Sequence, residues 1–330
     1  MNTIFLRTPC YVKNFAASGG SIESKGLYGK YYDIIFEDPL LGKDTWEKAE
    51  SELQNQTINK ALEKAKLKKS DIDLIVAGDL LNQCTASSFA ARDSNTPFLG
   101  VYGACSTIAL SAAVGACLIS GGFKENIVAV TSSHFCSAER QYRFPLEYGG
   151  QRTTSAQHTA TASGAMILSN ETDDIYINSV TFGKIIDMGI KDSTNMGAAM
   201  APAAADTIYS FFSETNTKPS DYDALFTGDL GEVGSQLLVD ILKDNNIDIT
   251  AIYDDCGLMI YNRENQDVHS GGSGCGCGAS ILCGYILTMM KRNELKNVLF
   301  CATGALLSPT SANQNESIPG IAHLINFKRK

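Results

Sequence analysis

Phe98-Leu99-Gly100-Val101-Tyr102-Gly103-Ala104-Cys105-Ser106-Thr107 sets one cysteine between an apolar run ending at Gly103 and an Ala/Ser-rich stretch over 106–120. The run reads as a strand and the stretch as a helix, so Cys105 is expected at a strand-to-helix turn. Helical N–H groups without internal partners, and the positive end of the helix dipole, stabilise negative charge there. A thiol in such a place ionises more easily, as nucleophilic cysteines do. The same field would also hold the carboxylate of a ligand. The bland alternative is a buried, inert core cysteine.

Upstream, residues 3–15 read as an apolar opening strand and turn, closed by Gly19-Gly20, and 26–42 as an aromatic-rich connection. Asp44 and Glu47 stand at capping-box spacing, and Trp46, Ala49, Leu53, Ala61, Leu62 and Ala65 then recur at helical intervals. Residues 72–77 form a buried strand of the parallel kind, and a short helix over 87–92 leads to the central strand and Cys105. Downstream, Gly121-Gly122 stops the helix, and 127–131 is another buried strand ending in Ser132-Ser133-His134. The polar segment 136–160, with Arg140, Arg143, Glu147, Tyr148 and Arg152, exceeds an ordinary connection and reads as a lid or a packed insertion. Residues 164–168 return to strand.

A second half repeats the first. Asp71-Ile72-Asp73-Leu74-Ile75-Val76-Ala77-Gly78-Asp79-Leu80 recurs as Asp221-Tyr222-Asp223-Ala224-Leu225-Phe226-Thr227-Gly228-Asp229-Leu230. Asn126-Ile127-Val128 is echoed by Asn297-Val298-Leu299, and Thr131-Ser132-Ser133 by Ala302-Thr303-Gly304. A glycine-rich turn over 271–278, before a helix over 279–290, stands where the first half has Gly103 to Thr107. Matches in the same order imply duplication of a strand-helix unit. The expected class is α/β, with halves 1–170 and 171–330, each a mostly parallel sheet layered with helices about a pseudo-twofold axis.

The 330 residues are 44% hydrophobic and 19% charged, as in a folded globular chain. No window approaches the roughly 18 uninterrupted apolar residues of a membrane span, and the N-terminus lacks a basic region followed by a long apolar run. A soluble, intracellular protein without signal peptide or transmembrane helix is expected. The ten cysteines show no disulfide framework, so reduced thiols are the natural reading. A net charge of -9 argues against nucleic acid and against simple adsorption to an anionic membrane. An anionic ligand must then be held by local groups.

Gly103-Ala104-Cys105-Ser106-Thr107, Met200-Ala201-Pro202-Ala203-Ala204-Ala205 at a helix start, and the turn over 271–280 resemble the thiolase superfamily. The resemblance implies a thiolase-like fold, two duplicated halves layered α-β-α-β-α, with a reactive cysteine at the start of a buried helix. More closely, the chain resembles the stage V sporulation protein AD family of spore-forming bacteria. The carriers are Ala77-Gly78-Asp79-Leu80-Leu81-Asn82-Gln83, Ala138-Glu139-Arg140-Gln141, Glu147-Tyr148-Gly149-Gly150-Gln151, Asp255-Cys256-Gly257-Leu258-Met259-Ile260-Tyr261 and the stretch 302–309. What this implies is a role in accumulating dipicolinic acid, pyridine-2,6-dicarboxylate, in the developing spore and releasing it at germination. It also implies peripheral association with the inner spore membrane and with membrane channel subunits.

Condensing chemistry needs a thiolate and two further groups, usually His/His or His/Asn, to move protons and stabilise an oxyanion. Where the superfamily places the second group, this chain has Gly228-Asp229-Leu230; in the glycine-rich turn it has Cys275. His134, His158, His269 and His323 match no motif position. Losing one oxyanion donor costs ~100- to 1000-fold in rate, so a chain lacking both partners should condense poorly. The expected function is non-catalytic binding of dipicolinate or its calcium chelate, in a pocket of Cys105, Ser106, Ser132, Ser133, His134, Asp229, Ser273 and Cys275, with Arg140 or Arg143 supplying positive charge. Cys105 would stay a neutral thiol. No cofactor or resident metal is expected, calcium entering only with the ligand.

Two alternatives stand beside it. One is acyl transfer with Cys105 as nucleophile and His134 as base; the other is a scaffold docking channel subunits. Superfamily members pair through the strand around 127–131, which would make a homodimer. Each residue also has a plain structural role open to it. Asp79 and Asp229 cap helices, His134 is hydrogen-bonded in the core, and the arginines are solvated or in subunit contacts. Cys275 and Cys277 have no second pair at zinc-ligand spacing and serve as small packing residues. The turn over 271–278 lacks the lysine of a phosphate loop.

Overall fold

Residues 3–20 form one long strand, β1 (Thr3–Gly20), not a strand and turn ending at Phe15. Its first part pairs with one neighbour and its second part with another, so both edges are covered and the strand continues. Gly19 admits the Tyr32 ring, which a Cβ there would meet at 2.5 Å. This computed structural model describes residues 1–142 and 152–330; Arg143, Glu147 and Tyr148 lie outside the described residues.

After β1 come β2 (Ile34–Phe36), α1 (Trp46–Ala65), β3 (Leu74–Gly78), α2 (Thr85–Arg92), β4 (Phe98–Gly100), α3 (Thr107–Ser120), β5 (Asn126–Ser133), α4 (Phe135–Tyr142), β6 (His158–Thr159) and β7 (Ala162–Ser169). The second half has β8 (Ile175–Phe182), α5 (Met196–Thr215), β9 (Ala224–Thr227), α6 (Gly231–Asp244), β10 (Tyr253–Asp255), α7 (Cys256–Met259), β11 (Gly272–Ser273), α8 (Cys275–Ile281), α9 (Leu287–Lys291), β12 (Asn297–Ala305), α10 (Pro309–Asn313) and β13 (Gly320–Arg329).

The strand order is β4-β3-β5-β7-β1 followed by β8-β13-β12-β9-β10, the same order in each half, mirrored about the β1–β8 pair. β4, β3 and β5 run parallel, as do β10, β9 and β12, while the strands between them pair antiparallel. The repeat legible in the sequence is thus a repeat of topology. α1 and α2 cover the first half, and α5 and α6 the second. α3 packs on strands of both halves, with α8 beside it against β5 and β7. The layers are α-β-α-β-α. Small residues, Ala, Gly, Ser, Thr and Cys, dominate α3 and α8 because a helix packed on both sides needs small side chains for close approach.

Several local expectations change. Residues 98–103 are not the central strand: β4 is three exposed residues at the sheet edge, because the chain must leave it at once to reach α3. The N-cap of α1 is Thr45, which accepts the Lys48 N–H, while Asp44 pairs with the Lys48 ammonium on the surface. α5 begins at Met196 under an Asn195 cap, so Pro202 lies inside the helix instead of at its start. The last buried helix begins at Cys275 and passes through a π-turn over Leu282–Ile286 before α9. β5 is paired by β3 and β7 on both edges, so it offers none to a second copy; the free edge of that half is β4. Among the described residues no helix is long and apolar enough to cross a membrane.

Candidate ligand-binding cleft at Cys105

The turn that carries Cys105 is fastened by its own hydroxyls. Ser106 Oγ donates to the Gly103 carbonyl and Thr107 Oγ1 to that of Ala104, each at 2.6 Å. Ala104 is held at φ 48°, a left-handed conformation costly for a residue with a Cβ. Val101 N–H still bonds Ala77 of β3, so the chain turns sharply within a few residues. Ser106 is therefore a turn residue. Cys105 is left facing a cavity and is 6% exposed.

Behind the sulfur lies Asp229, at the end of β9 and wholly buried. Its Oδ2 accepts the Gly274 N–H at 2.8 Å and the Ser273 hydroxyl at 3.2 Å; its Oδ1 accepts the Thr303 hydroxyl at 3.0 Å. The Cys105 thiol stands against the same carboxyl, near enough for each to shift the other's ionisation. Burial pushes Asp229 up to about 7, the Cys105, Gly274 and Thr303 donors opposing the shift. Burial, and then the Asp229 charge, push the Cys105 thiol well above its ordinary value. The easier ionisation expected at a helix N-terminus is thus overturned. The dipole offers about 0.3–1 kcal/mol, less than desolvation and an adjacent carboxylate take away.

In front of the sulfur is a narrow cleft of about 30 Å³. Its apolar walls include Leu80, Ala138, Met196 and Leu307, and its polar groups are the Cys105 thiol, the Ser273, Thr159, Tyr102 and Tyr142 hydroxyls and the Glu139 carboxyl. Tyr102 and Tyr142 meet hydroxyl to hydroxyl at 3.0 Å. Beyond them an outer groove of about 260 Å³ shares Tyr102, Tyr142 and Leu307 with the cleft. The two tyrosines stand where the spaces adjoin.

The structure brings together Cys105, Asp229, Ser273 and Cys275, whose thiol donates to the Ala104 carbonyl at 3.0 Å from beneath the turn. It does not bring the rest of the expected pocket. Ser132 bonds Glu50 and Gln54, and Ser133 bonds the Ala160 carbonyl and the Gly276 N–H. His134 spends Nε2 on the Pro39 carbonyl at 2.7 Å and Nδ1 on the Cys136 N–H, against Trp46. Ser132 faces α1 and His134, just beyond β5, faces Pro39, while Ser133, one step along the strand, points the other way onto the glycine-rich turn around Cys275; none of the three lines the cleft. Arg140 pairs with Glu47 on the surface. Arg143 lies outside the described residues.

The remaining imidazoles are engaged elsewhere. His158 takes Arg152 on Nδ1 and stacks on Phe135; His269 meets Asp267. His323 Nδ1 accepts the Gly183 N–H, and burial lowers it to about 4. Sequence reasoning missed Tyr102, Tyr142, Thr159 and Glu139 as cleft residues. It quoted Ala302-Thr303-Gly304 as a repeat without seeing that Thr303 would hold Asp229. Among the described residues no group of three or more His, Cys, Asp or Glu could hold a metal ion.

The model of the stage V sporulation protein AD family matches residues 1–328. The chain belongs to the stage V sporulation protein AD family. Stage V sporulation protein AD of Bacillus subtilis (strain 168) is 45% identical over 321 residues, 97% of this chain and 95% of that one. Among solved structures, human mitochondrial 3-ketoacyl-CoA thiolase in complex with CoA covers 100% of both chains at TM-score 0.60 and 12% identity. Acat5 thiolase from Ascaris suum, in complex with coenzyme A, covers 98% of this chain and 100% of its own at TM-score 0.60 and 10% identity. The 3-oxoacyl-[acyl-carrier-protein] synthase III of Aquifex aeolicus VF5 covers 99% of both at 0.52 and 10%. These likenesses are of fold: this member of the stage V sporulation protein AD family has the thiolase-type architecture. At its centre Cys105 faces the Asp229 carboxyl.

Proposed function

We propose that this sporulation protein binds dipicolinic acid, serving its uptake into the spore and its release at germination, and does so without catalysis. The observation that carries the proposal is the Cys105 thiol set against the buried Asp229 carboxyl at the base of a cleft that adjoins the outer groove. A thiol pushed up by burial and by a neighbouring carboxylate is a weak nucleophile and keeps its hydrogen for donation. Dipicolinate is a flat aromatic ring with carboxylates at either side of its nitrogen. Apolar walls suit its faces, and the Tyr102, Tyr142 and Thr159 hydroxyls suit its carboxylates.

Charge favours the chelate over the bare dianion. Among the described lining residues the one ionisable carboxyl is Glu139, and Arg140 is committed to Glu47. A calcium chelate is nearly neutral and would present its cation to Glu139; a bare dianion would need Arg143. A crystal structure with dipicolinate and calcium tests this. Ligand density between Cys105 and the Tyr102–Tyr142 pair supports the proposal, and density elsewhere or none overturns it.

A second function is favoured by one feature, the nearness of Asp229 to pH 7. Acyl transfer would then use Cys105 as nucleophile with Asp229, not His134, accepting its proton. Incubation with acyl-CoA thioesters followed by intact mass spectrometry would show an adduct that C105A abolishes. For partners, we propose that membrane channel subunits dock on the surface, and that a homodimer forms through β4, whose Phe98 and Leu99 are exposed on an unpaired edge.

A further inference from the structure

Behind the cleft, α1, α2, α4 and the ends of β3 and β5 meet around six polar side chains out of reach of solvent. Glu50 and Ser137 are 1% exposed; Gln54, Asp79, Ser87 and Ser132 are 0% exposed. The Gln54 amide forks. It donates to Ser87 Oγ and to Ser132 Oγ, each at 3.0 Å. Ser87 donates onward to Asp79 Oδ2 at 2.6 Å, and Ser132 to Glu50 Oε1 at 3.2 Å. Two carboxyls are thus joined through two serines and one amide, and the bonds to them come from serines and backbone N–H groups.

Two buried carboxylates without a cation cost several kcal/mol, and one proton between them relieves most of it. Burial, and then the Asp79 charge, push Glu50 up to about 8; burial raises Asp79 as well. Glu47 faces the pair from the outer end of α1, with Arg140 of α4 paired to it. His134 stands before α4, held below its ordinary value by burial; Cys84 lies beside Asp79, and the Cys275 thiol of α8 lies beyond.

Ser137 connects this pair to the cleft. Its hydroxyl lies 2.7 Å from Glu50 Oε2 and 3.1 Å from the His134 carbonyl, so it has two settings. With Glu50 ionised, Ser137 donates to Oε2. With Glu50 protonated on Oε2, that proton is donated to Ser137, whose own hydrogen turns to the His134 carbonyl. Ser137 sits in α4, whose other face gives the cleft Ala138, Glu139 and Tyr142. Asp79 meanwhile fixes the Leu81 N–H at 2.9 Å, and Leu80 is cleft wall. Gln141 and Tyr142 of α4 both donate to the Leu80 carbonyl, closing the circuit.

We propose that Glu50 and Asp79 are positioning residues that share a single proton, and that its presence, relayed through Ser137, holds α4 and Leu80 in place as the cleft wall. Loss of the proton to solvent leaves two buried negative charges, and α4 lifts to hydrate them. Only the effect on ligand rests on the dipicolinate function proposed above.

Amide hydrogen exchange of residues 135–142 in the full-length protein, corrected for intrinsic rates, tests this between pH 6 and pH 9. Opening linked to one proton grows about tenfold per pH unit up to the midpoint and then levels off. Wild type is expected to lose protection in this way. E50Q, neutral and isosteric, is expected to stay flat, and D79N, which removes the Asp79 charge and lets Glu50 ionise more easily, to move the loss to lower pH. S137A, which keeps both carboxyls but cuts the relay, is expected to flatten the profile of α4. A flat wild-type profile, or an unchanged one in E50Q, overturns the proposal; if E50Q fails to fold, an unchanged profile in S137A does so. Calorimetry with dipicolinate and calcium forms a separate arm. Binding weaker at pH 9 than at pH 6.5 in wild type but not in E50Q extends the proposal to ligand. No heat at either pH, with the exchange profile intact, refutes the dipicolinate function and leaves the carboxyl pair standing.

Discussion

Asp229 stands against the Cys105 thiol and accepts, at 2.8 Å, the backbone N–H of Gly274. One carboxyl therefore sets the charge beside the sulfur of the first half while it holds the glycine-rich turn of the second. Because Asp229 ionises near neutrality, each increment of its charge opposes formation of a thiolate beside it. The arrangement holds a thiol in its neutral form.

Removing that charge should wake the sulfur. In D229N the Cys105 thiol is expected to ionise at lower pH than in wild type, the neighbouring charge being gone while burial persists. Alkylation by iodoacetamide at pH 8, resolved by peptide mass spectrometry, is expected to be several-fold faster at Cys105 in D229N. Equal or slower alkylation would contradict the role given to Asp229.

Stability should fall as pH rises towards neutrality. Asp229 stands at about 7 and Asp255 at about 6, both raised by burial above the ordinary carboxyl range. A carboxyl raised on folding contributes stability that is full below its unfolded value and is lost as pH rises through its folded value. The thermal midpoint is expected to decline between about pH 4 and pH 7, and D229N to flatten that decline. A midpoint that climbs over this range would contradict the burial argument.

Gly274 should tolerate no side chain. It sits at φ +102°, and a Cβ would lie 2.7 Å from Ser133 Oγ. G274A is expected to lose about 1–3 kcal/mol of stability, from backbone strain and displacement of the N–H that serves Asp229. Urea unfolding of G274A beside wild type checks it; equal midpoints would mean the turn is looser than its geometry.

The edge strand offers a test of assembly. Leu99 is 39% exposed on β4. Placing a lysine there, L99K, charges an open edge. Sedimentation equilibrium is expected to give a dimer for wild type and a monomer for L99K, with unchanged circular dichroism; a wild-type monomer would remove β4 as an interface.

The duplicated fold was legible because both copies keep the same acidic and apolar spacing, Asp71 to Leu80 and Asp221 to Leu230, on equivalent buried strands. Cys105, Asp229, Ser273 and Cys275 could be placed together because each ends or follows a strand at one end of that fold. Ser133 does point onto the glycine-rich turn, but Ser132 turns away from it, because one residue's step along β5 turns a side chain to the opposite face, and His134 leaves the strand for Pro39. Tyr102, Tyr142 and Glu139 were missed because tyrosines and a glutamate on a polar segment look the same whether they face solvent or a cleft. The strand before Cys105 reads as central because it is apolar, yet the exposed edge strand β4 is just as apolar.

Titration calorimetry of the full-length protein with dipicolinate, with and without calcium, bears most directly on the idea of a condensing fold turned to capture. Saturable heat at one equivalent per chain is expected, stronger with calcium, and lost or sharply weakened in D229N. No heat in either condition would contradict it.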